Sequence, residues 1–128
     1  MSDQATLINL TECLLESIVA GNWEAYRELC DPSLTCFEPE ARGQLVEGMD
    51  FHKFYFELDR QPHRKVQTTL ASPQVRIMGD AALVCYVRLT QSLDAAGSPI
   101  TRAVEETRIW QKQNGSWKHV HFHRSPVG

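Results

Sequence analysis

No run of apolar residues in this 128-residue chain approaches the ~20 needed to cross a bilayer as a helix. The sequence therefore offers no membrane-spanning helix. Its first residues, "MSDQATLINL", lack a basic stretch followed by an apolar one, so no secretory signal is expected and the default location is cytoplasmic. A surplus of positive charge is missing too. Thirteen basic residues stand against 16 acidic ones, for a net charge of −3, which gives no basic footprint for nucleic acid. The four cysteines, Cys13, Cys30, Cys36 and Cys85, form no CxxC pair or other zinc spacing, and are expected to be buried free thiols. There is no internal repeat, linker or low-complexity segment.

What is present suits one folded domain over residues 1–128. Apolar residues make up 42% and charged residues 23%, as in globular proteins. Leu7, Leu14 and Ile18, with Ile8, Leu15 and Val19 beside them, form an apolar helical stripe. Gly21 can end that helix in the left-handed conformation. Asn22 can cap a second, short helix through Trp23, Tyr26 and Leu29, which "CDP" closes. Two short strands are expected around Thr35–Phe37 and Leu45–Val46. Asp50 can cap a third helix, with Phe51, Phe54, Tyr55 and Leu58 at i, i+3, i+4 and i+7. Trp23, Phe51, Phe54, Tyr55 and Trp110 follow these periods and are expected in the core.

From Lys65 onward the period changes to two. "KVQTTLASPQVRIM", "AALVCYVRLTQSL", "TRAVEETRIWQKQ" and "SWKHVHFHRS" read as long strands joined by turns at 79–80, 94–99 and 114–115. Helices first and antiparallel strands last argue an α+β fold, with helices on one face of a curved sheet.

Alternation then sorts the side chains. Val84, Tyr86, Arg88 and Thr90 share a face, as do Val104, Glu106, Arg108 and Trp110, and as do Val120, Phe122 and Arg124. Each of these three strands places an arginine among apolar or aromatic neighbours. If those faces enclose a cavity, Arg88, Arg108 and Arg124 converge in it, with Glu106 as internal counter-charge. The alternative is that each arginine reaches solvent past its strand end. On the other face of the last strand lie His119, His121 and His123. Same-face neighbours are about 6.6 Å apart, so the outer two stand about 13 Å apart, too far for one tetrahedral zinc. No metal and no cofactor is expected.

"CDPSLTCFEPEARGQLVEGMDFHKFYFE", "VRLTQSLDAAGSP", "EETRIW" and "VHFHRS" together resemble the association (hub) domain of calcium/calmodulin-dependent protein kinase II, from about Leu7 to Ser125. The resemblance implies a cone-shaped fold of the nuclear transport factor 2-like superfamily, in which helices pack on a strongly curved sheet. It implies no catalysis, homodimers that can stack into larger rings, and a polar cavity that accepts small carboxylates. By motif, Arg88 of "YVRLTQ", Arg108 of "EETRIW" and Arg124 of "HFHRS" match the cavity arginines, and Tyr26 of "EAYRELCDP" and His52 of "DFHKFYF" match other pocket positions. His121 and His123 match the family's "HFH" and are expected at a subunit interface, with His119 nearer its edge.

This chain departs from the pattern in opening straight into its first helix, which suggests a stand-alone relative. The connection "LDRQPHRK" also lacks the family's tryptophan near the pocket. The expected function is a self-associating domain with a carboxylate-binding cavity. The enzymatic alternative is a lyase or isomerase of the superfamily working in the same cavity, with Tyr26, His52 and Glu106 as acid–base groups and an arginine as oxyanion clamp.

Overall fold

The computed structural model describes residues 2–58 and 65–127. The loss of tryptophan from "LDRQPHRK" falls on residues 59–64 and lies outside them. Helices α1 (Asp3–Ala20) and α2 (Trp23–Leu29) lead into strand β1 (Cys30–Phe37), a 3-10 turn (Pro39–Ala41), strand β2 (Val46–Glu47) and helix α3 (Asp50–Glu57). Four long strands follow: β3 (Gln67–Met78), β4 (Ala81–Leu93), β5 (Pro99–Gln113) and β6 (Ser116–Pro126).

The helix punctuation read from the sequence is present in detail. Gly21 takes φ 67°, and its N–H and that of Asn22 return to the carbonyls of Ile18 and Ser17. The Asn22 side chain then accepts from the Ala25 N–H at 3.2 Å and starts α2. As expected from "CDP", the helix closes at Cys30, whose extended backbone still returns its N–H to the Arg27 carbonyl and also opens β1. Helix α1 buries Leu7, Leu14 and Leu15 against β3 and β4. Thr11 and Ser17 lie on that same face and satisfy their hydroxyls on the carbonyls of Leu7 and Leu14.

The strands form one six-stranded sheet in the order β2-β1-β6-β5-β4-β3. It is antiparallel except where β1 runs parallel to β6. Two bulges bend it. On edge strand β3, Ser72 and Pro73 together oppose Tyr86, with Ser72 at φ 52°. An edge bulge is a place where a strand tolerates proline, because no ladder hydrogen bond is lost.

The second bulge changes the face assignment. Ile109 pairs with His121, but Trp110 pairs with His119, so Val120 is an extra residue in β6. Strict alternation assigned Val120, Phe122 and Arg124 to one face and all three histidines to the other. The bulge resets the phase instead. Trp117, His119 and Phe122 are buried, whereas Val120 is half-buried and His123 exposed. His119 is therefore an interior residue with no exposed surface, not the edge of an outer interface.

Two other expectations need correction. Helix α3 does not bury the Phe51/Phe54/Tyr55/Leu58 stripe: Phe54 is 59% exposed and Leu58 48%, while His52 is only 6% exposed. The helix lies across the open side of the sheet with a polar residue inward, so its apolar period does not mark its buried face. Met49 precedes the helix and Asp50 sits in its first turn, with no side-chain cap. Of the cysteines, Cys30 and Cys36 are buried, Cys85 half-buried and Cys13 exposed. The core proper includes Trp110, Leu34, Val84 and Phe122 on the sheet, with Trp23 and Phe51 packed against its margin.

Candidate functional site: a charge-balanced cavity

The sheet register brings the three arginines together. Glu106 of β5 pairs across the ladder with Tyr86 of β4 on one side and Arg124 of β6 on the other. Arg108 lies two residues along the same face, and Arg88 lies two residues beyond Tyr86. A carboxylate thus sits at the centre of three guanidiniums. Its Oε1 accepts from Arg108 Nη2 at 3.0 Å and from the Tyr86 hydroxyl at 2.6 Å. Its Oε2 stands 3.5 Å from both Arg88 Nη1 and Arg124 Nε.

The three arginines line a cavity of about 200 Å³. Ile18 of α1, Tyr26 of α2, and His52, Tyr55 and Phe56 of α3 close it from the helical side, with Glu38, Glu40 and Phe122 in the wall. All five sequence-derived pocket residues, Arg88, Arg108, Arg124, Tyr26 and His52, are brought to this one space.

Glu38 and Glu40 were not legible as site residues. They follow the end of β1, where the 3-10 turn folds them back onto β6. Arg124 Nη1 donates to Glu40 at 2.8 Å and approaches Glu38 at 3.4 Å, across 84 and 86 residues of sequence. Three acids therefore answer three arginines. The signal available in the sequence was the "EPE" spacing, which puts two carboxylates near one turn without saying where the turn points.

Arg108 is the most constrained of the group. Its Nε donates to Tyr86 at 2.8 Å, Nη2 to Glu106, and Nη1 meets His119 Nε2 at 3.4 Å, while its guanidinium lies 4.6 Å over the Phe122 ring. These contacts engage three of its five N–H donors. Burial alone would lower its pKa, but Tyr86 and Glu106 outweigh that and raise it, so Arg108 is firmly cationic. Burial would raise Glu106, yet Arg108 and Arg88 hold its carboxyl below the usual carboxylate range.

The remaining groups are neutral. Burial, reinforced by Arg108, lowers His52 to about 4, and its Nδ1 stands 3.6 Å from Glu38, beyond hydrogen-bond range. Burial pushes the Tyr26 phenol well up. His119, deep behind Arg108, is held well below the ordinary imidazole value by burial and then by that cation. Its Nδ1 lies 3.5 Å from Cys30 Sγ, and its ring stacks near Phe122 and Trp110.

Three buried polar atoms that face this cluster lack a hydrogen-bond partner among the described residues: Arg88 Nε, Arg124 Nε and Glu106 Oε2. Leaving such groups unpaired costs free energy, on the order of 1–3 kcal/mol each. A cavity containing them is suited to water or to a polar guest.

His121 and His123 lie on the opposite, outer face. The Thr35 hydroxyl and His121 Nδ1 are 2.7 Å apart, and Phe37 packs at the rings of both histidines.

Helices packed on one side of a curved sheet around a polar cavity define the nuclear transport factor 2-like fold. A putative dehydratase of that family from Streptomyces avermitilis has the same architecture at TM-score 0.76 and 19% identity, over 98% of this chain and 96% of that one, which is a likeness of fold alone. The sequence is far more specific. Residues 3–128 match the calcium/calmodulin dependent protein kinase II association domain, and the chain belongs to that family.

Among its relatives, calcium/calmodulin-dependent protein kinase type II subunit delta of Oryctolagus cuniculus is 52% identical over 121 residues, covering 93% of this chain and 23% of that protein. The chain thus spans about a quarter of the length of this relative. The kinase II hub homology domain of Chlamydomonas reinhardtii superposes at TM-score 0.94 with 50% identity over all of both chains. The Caenorhabditis elegans association domain follows at 0.89 and 48%, over 94% of this chain and 93% of that one.

Proposed function

We propose that this association domain assembles with copies of itself and that its cavity binds a small carboxylate. Arg88 and Arg124, each with an Nε that has no hydrogen-bond partner among the described residues, line the cavity together with Arg108 and carry the second part of this reading. Guanidinium donors recognise carboxylates through paired hydrogen bonds. The internal acids cancel the net charge of the arginines, so the guest is recognised by directed N–H groups rather than by bulk attraction. Tyr26 and His52 supply the neutral wall. Self-association uses the outer sheet face, where Phe37, His121, His123 and Ile109 present a mixed apolar and aromatic surface, to a dimer first and then to a ring.

Thermal unfolding across a panel of small monocarboxylates tests the binding. At least one acid is expected to raise the wild-type midpoint, and Arg88→Gln, whose side chain is partly open to the cavity, should abolish that rise while still folding. A panel that leaves the wild type unmoved, or moves both equally, overturns the reading. Ile109→Asp, read by sedimentation, tests the assembly: it is expected to shift the protein towards monomer, and an unchanged mass would place the interface elsewhere.

The enzymatic alternative rests on His52, a neutral imidazole in the cavity wall. Glu106 is a poor base for it, since a carboxylate held by arginines accepts a proton weakly. Turnover of an acid that stabilises the fold, lost in His52→Gln, would establish that alternative.

A further inference from the structure

A second kind of chemistry is assembled at one end of the same cavity. Cys36 and Glu38 are two residues apart and share the inward direction at the end of β1, while His52 reaches them from α3. One ligand atom from each lies within 4.8 Å of the other two. Cys36 Sγ and His52 Nε2 are 3.7 Å apart. In a tetrahedral zinc shell with Zn–S and Zn–N bonds of about 2.3 and 2.0–2.1 Å, the sulfur–nitrogen edge is about 3.6 Å. The thiol and imidazole therefore already stand at the spacing that one ion requires, and the Glu38 carboxylate, which approaches the other ring nitrogen at 3.6 Å, is the third donor at hand.

We infer that Cys36, Glu38 and His52 form a binding site for a zinc-like divalent cation, with its fourth position open to the cavity. Glu38 is an under-compensated acid, because Arg124, its nearest cation at 3.4 Å, is held more closely by Glu40 at 2.8 Å. Arg124 can thus release Glu38 without losing its own partner. His52 would ligate through its neutral imidazole. Cys36 would ligate as a thiolate. Loading breaks its S–H bond, sends that proton to solvent and forms a metal–sulfur bond.

Thiolate, imidazole and carboxylate together select a borderline-soft ion over magnesium or calcium, which take oxygen ligands. The charge count has a further consequence. A dication with one new thiolate adds a single positive charge to a cavity otherwise balanced at three acids and three arginines. The open position would then face the same space as the three guanidiniums, and a carboxylate is a natural fourth ligand. The inference does not depend on the carboxylate reading, since a cation can bind with water in that position.

Titration of the chelator-stripped full chain with Co²⁺ tests the site directly. One equivalent is expected to give thiolate-to-cobalt absorption in the near ultraviolet and the intense visible bands of a tetrahedral ion, both displaced by Zn²⁺. Cys36→Ser should lose the thiolate band, whereas Cys13→Ser, at the exposed thiol, should keep it. Exposed histidines such as His123 give no such band. His52→Gln, checked for folding by circular dichroism, should weaken Co²⁺ binding by about tenfold or more, a loss that even an outer-shell partner can bring. The absence of a thiolate band in the wild type, its survival in Cys36→Ser, or undiminished affinity in His52→Gln each overturns the site. Carboxylate thermal shifts run in chelator report on the other reading, so the two fail separately.

Discussion

Replacing Glu106 with alanine is expected to destabilise the domain by about 3–5 kcal/mol, the cost of breaking a buried ion pair from one side. The effect is large because one side chain answers three cations. Its side chain has no exposed surface, and its oxygens face Arg88, Arg108 and Arg124 at 3.0–3.5 Å. Without it, Arg108 retains only uncharged hydrogen-bond partners among the described residues, Tyr86 and His119. Urea unfolding at fixed protein concentration measures this, since assembly shifts apparent stability. Glu106→Gln should fall between wild type and alanine, because the amide can still accept from Arg108 but carries no charge.

Combining Glu106→Leu with Arg108→Met should recover part of the loss, as an apolar replacement of a buried pair is often close to neutral. A Glu106→Ala variant within about 1 kcal/mol of wild type, the range of an exposed pair, would show that the carboxylate is not the electrostatic centre.

The second large effect is a pH dependence. His119 is fully buried and neutral, facing Arg108 of β5 and Cys30 of β1, with His52 and His121 as further positive neighbours if they protonate. Its folded pKa is depressed below the ordinary 6.5. The unfolded chain therefore binds the proton more readily than the folded one. The stability His119 allows is fully present above pH 6.5 and is lost progressively as pH falls below it towards the folded value. At pH 5 the loss is about 2 kcal/mol from this group alone. Urea unfolding of wild type and His119→Leu at pH 7.5 and pH 5 checks the sign and size. The wild type should lose about 2 kcal/mol more than the variant on acidification; equal losses would mean that the folded protein accommodates a charged His119.

The sequence made the arginine trio legible because β4 and β5 pair without a break from Ala81–Gln111 to Leu93–Pro99. Over such a stretch, alternation is a reliable guide to face, and Arg88, Glu106 and Arg108 fall where parity puts them. Arg124 and Phe122 were also placed correctly, since both lie on the far side of the bulge. His119 was not, because one extra residue inverts every side chain before it and nothing in "KHVHFHRS" marks which residue is extra. The helix boundaries were legible for a local reason: Gly21 and Asn22 act through backbone groups a few residues away.

Helix α3 misled because its apolar period is real but its buried face is chosen by the cavity, which requires His52. Glu38 and Glu40 escaped notice because their partner lies on another strand at the far end of the chain. The Cys36–His52 pairing is hidden for the same reason, as it joins a strand end to a helix by tertiary packing rather than by any spacing motif.

The bulge at Val120 has one more consequence, for how this strand can change over time. It splits β6 into two segments whose phases are independent. Removing Val120 would leave His119 opposite Trp110 and His121 opposite Ile109, as they already stand, with Trp117, His119 and Phe122 all still inward. Removing its neighbour Lys118 would turn Trp117 outward. Length variation in β6 is thus tolerable at one position, and there it would exchange a kink for a straight ladder without altering what the interior contains.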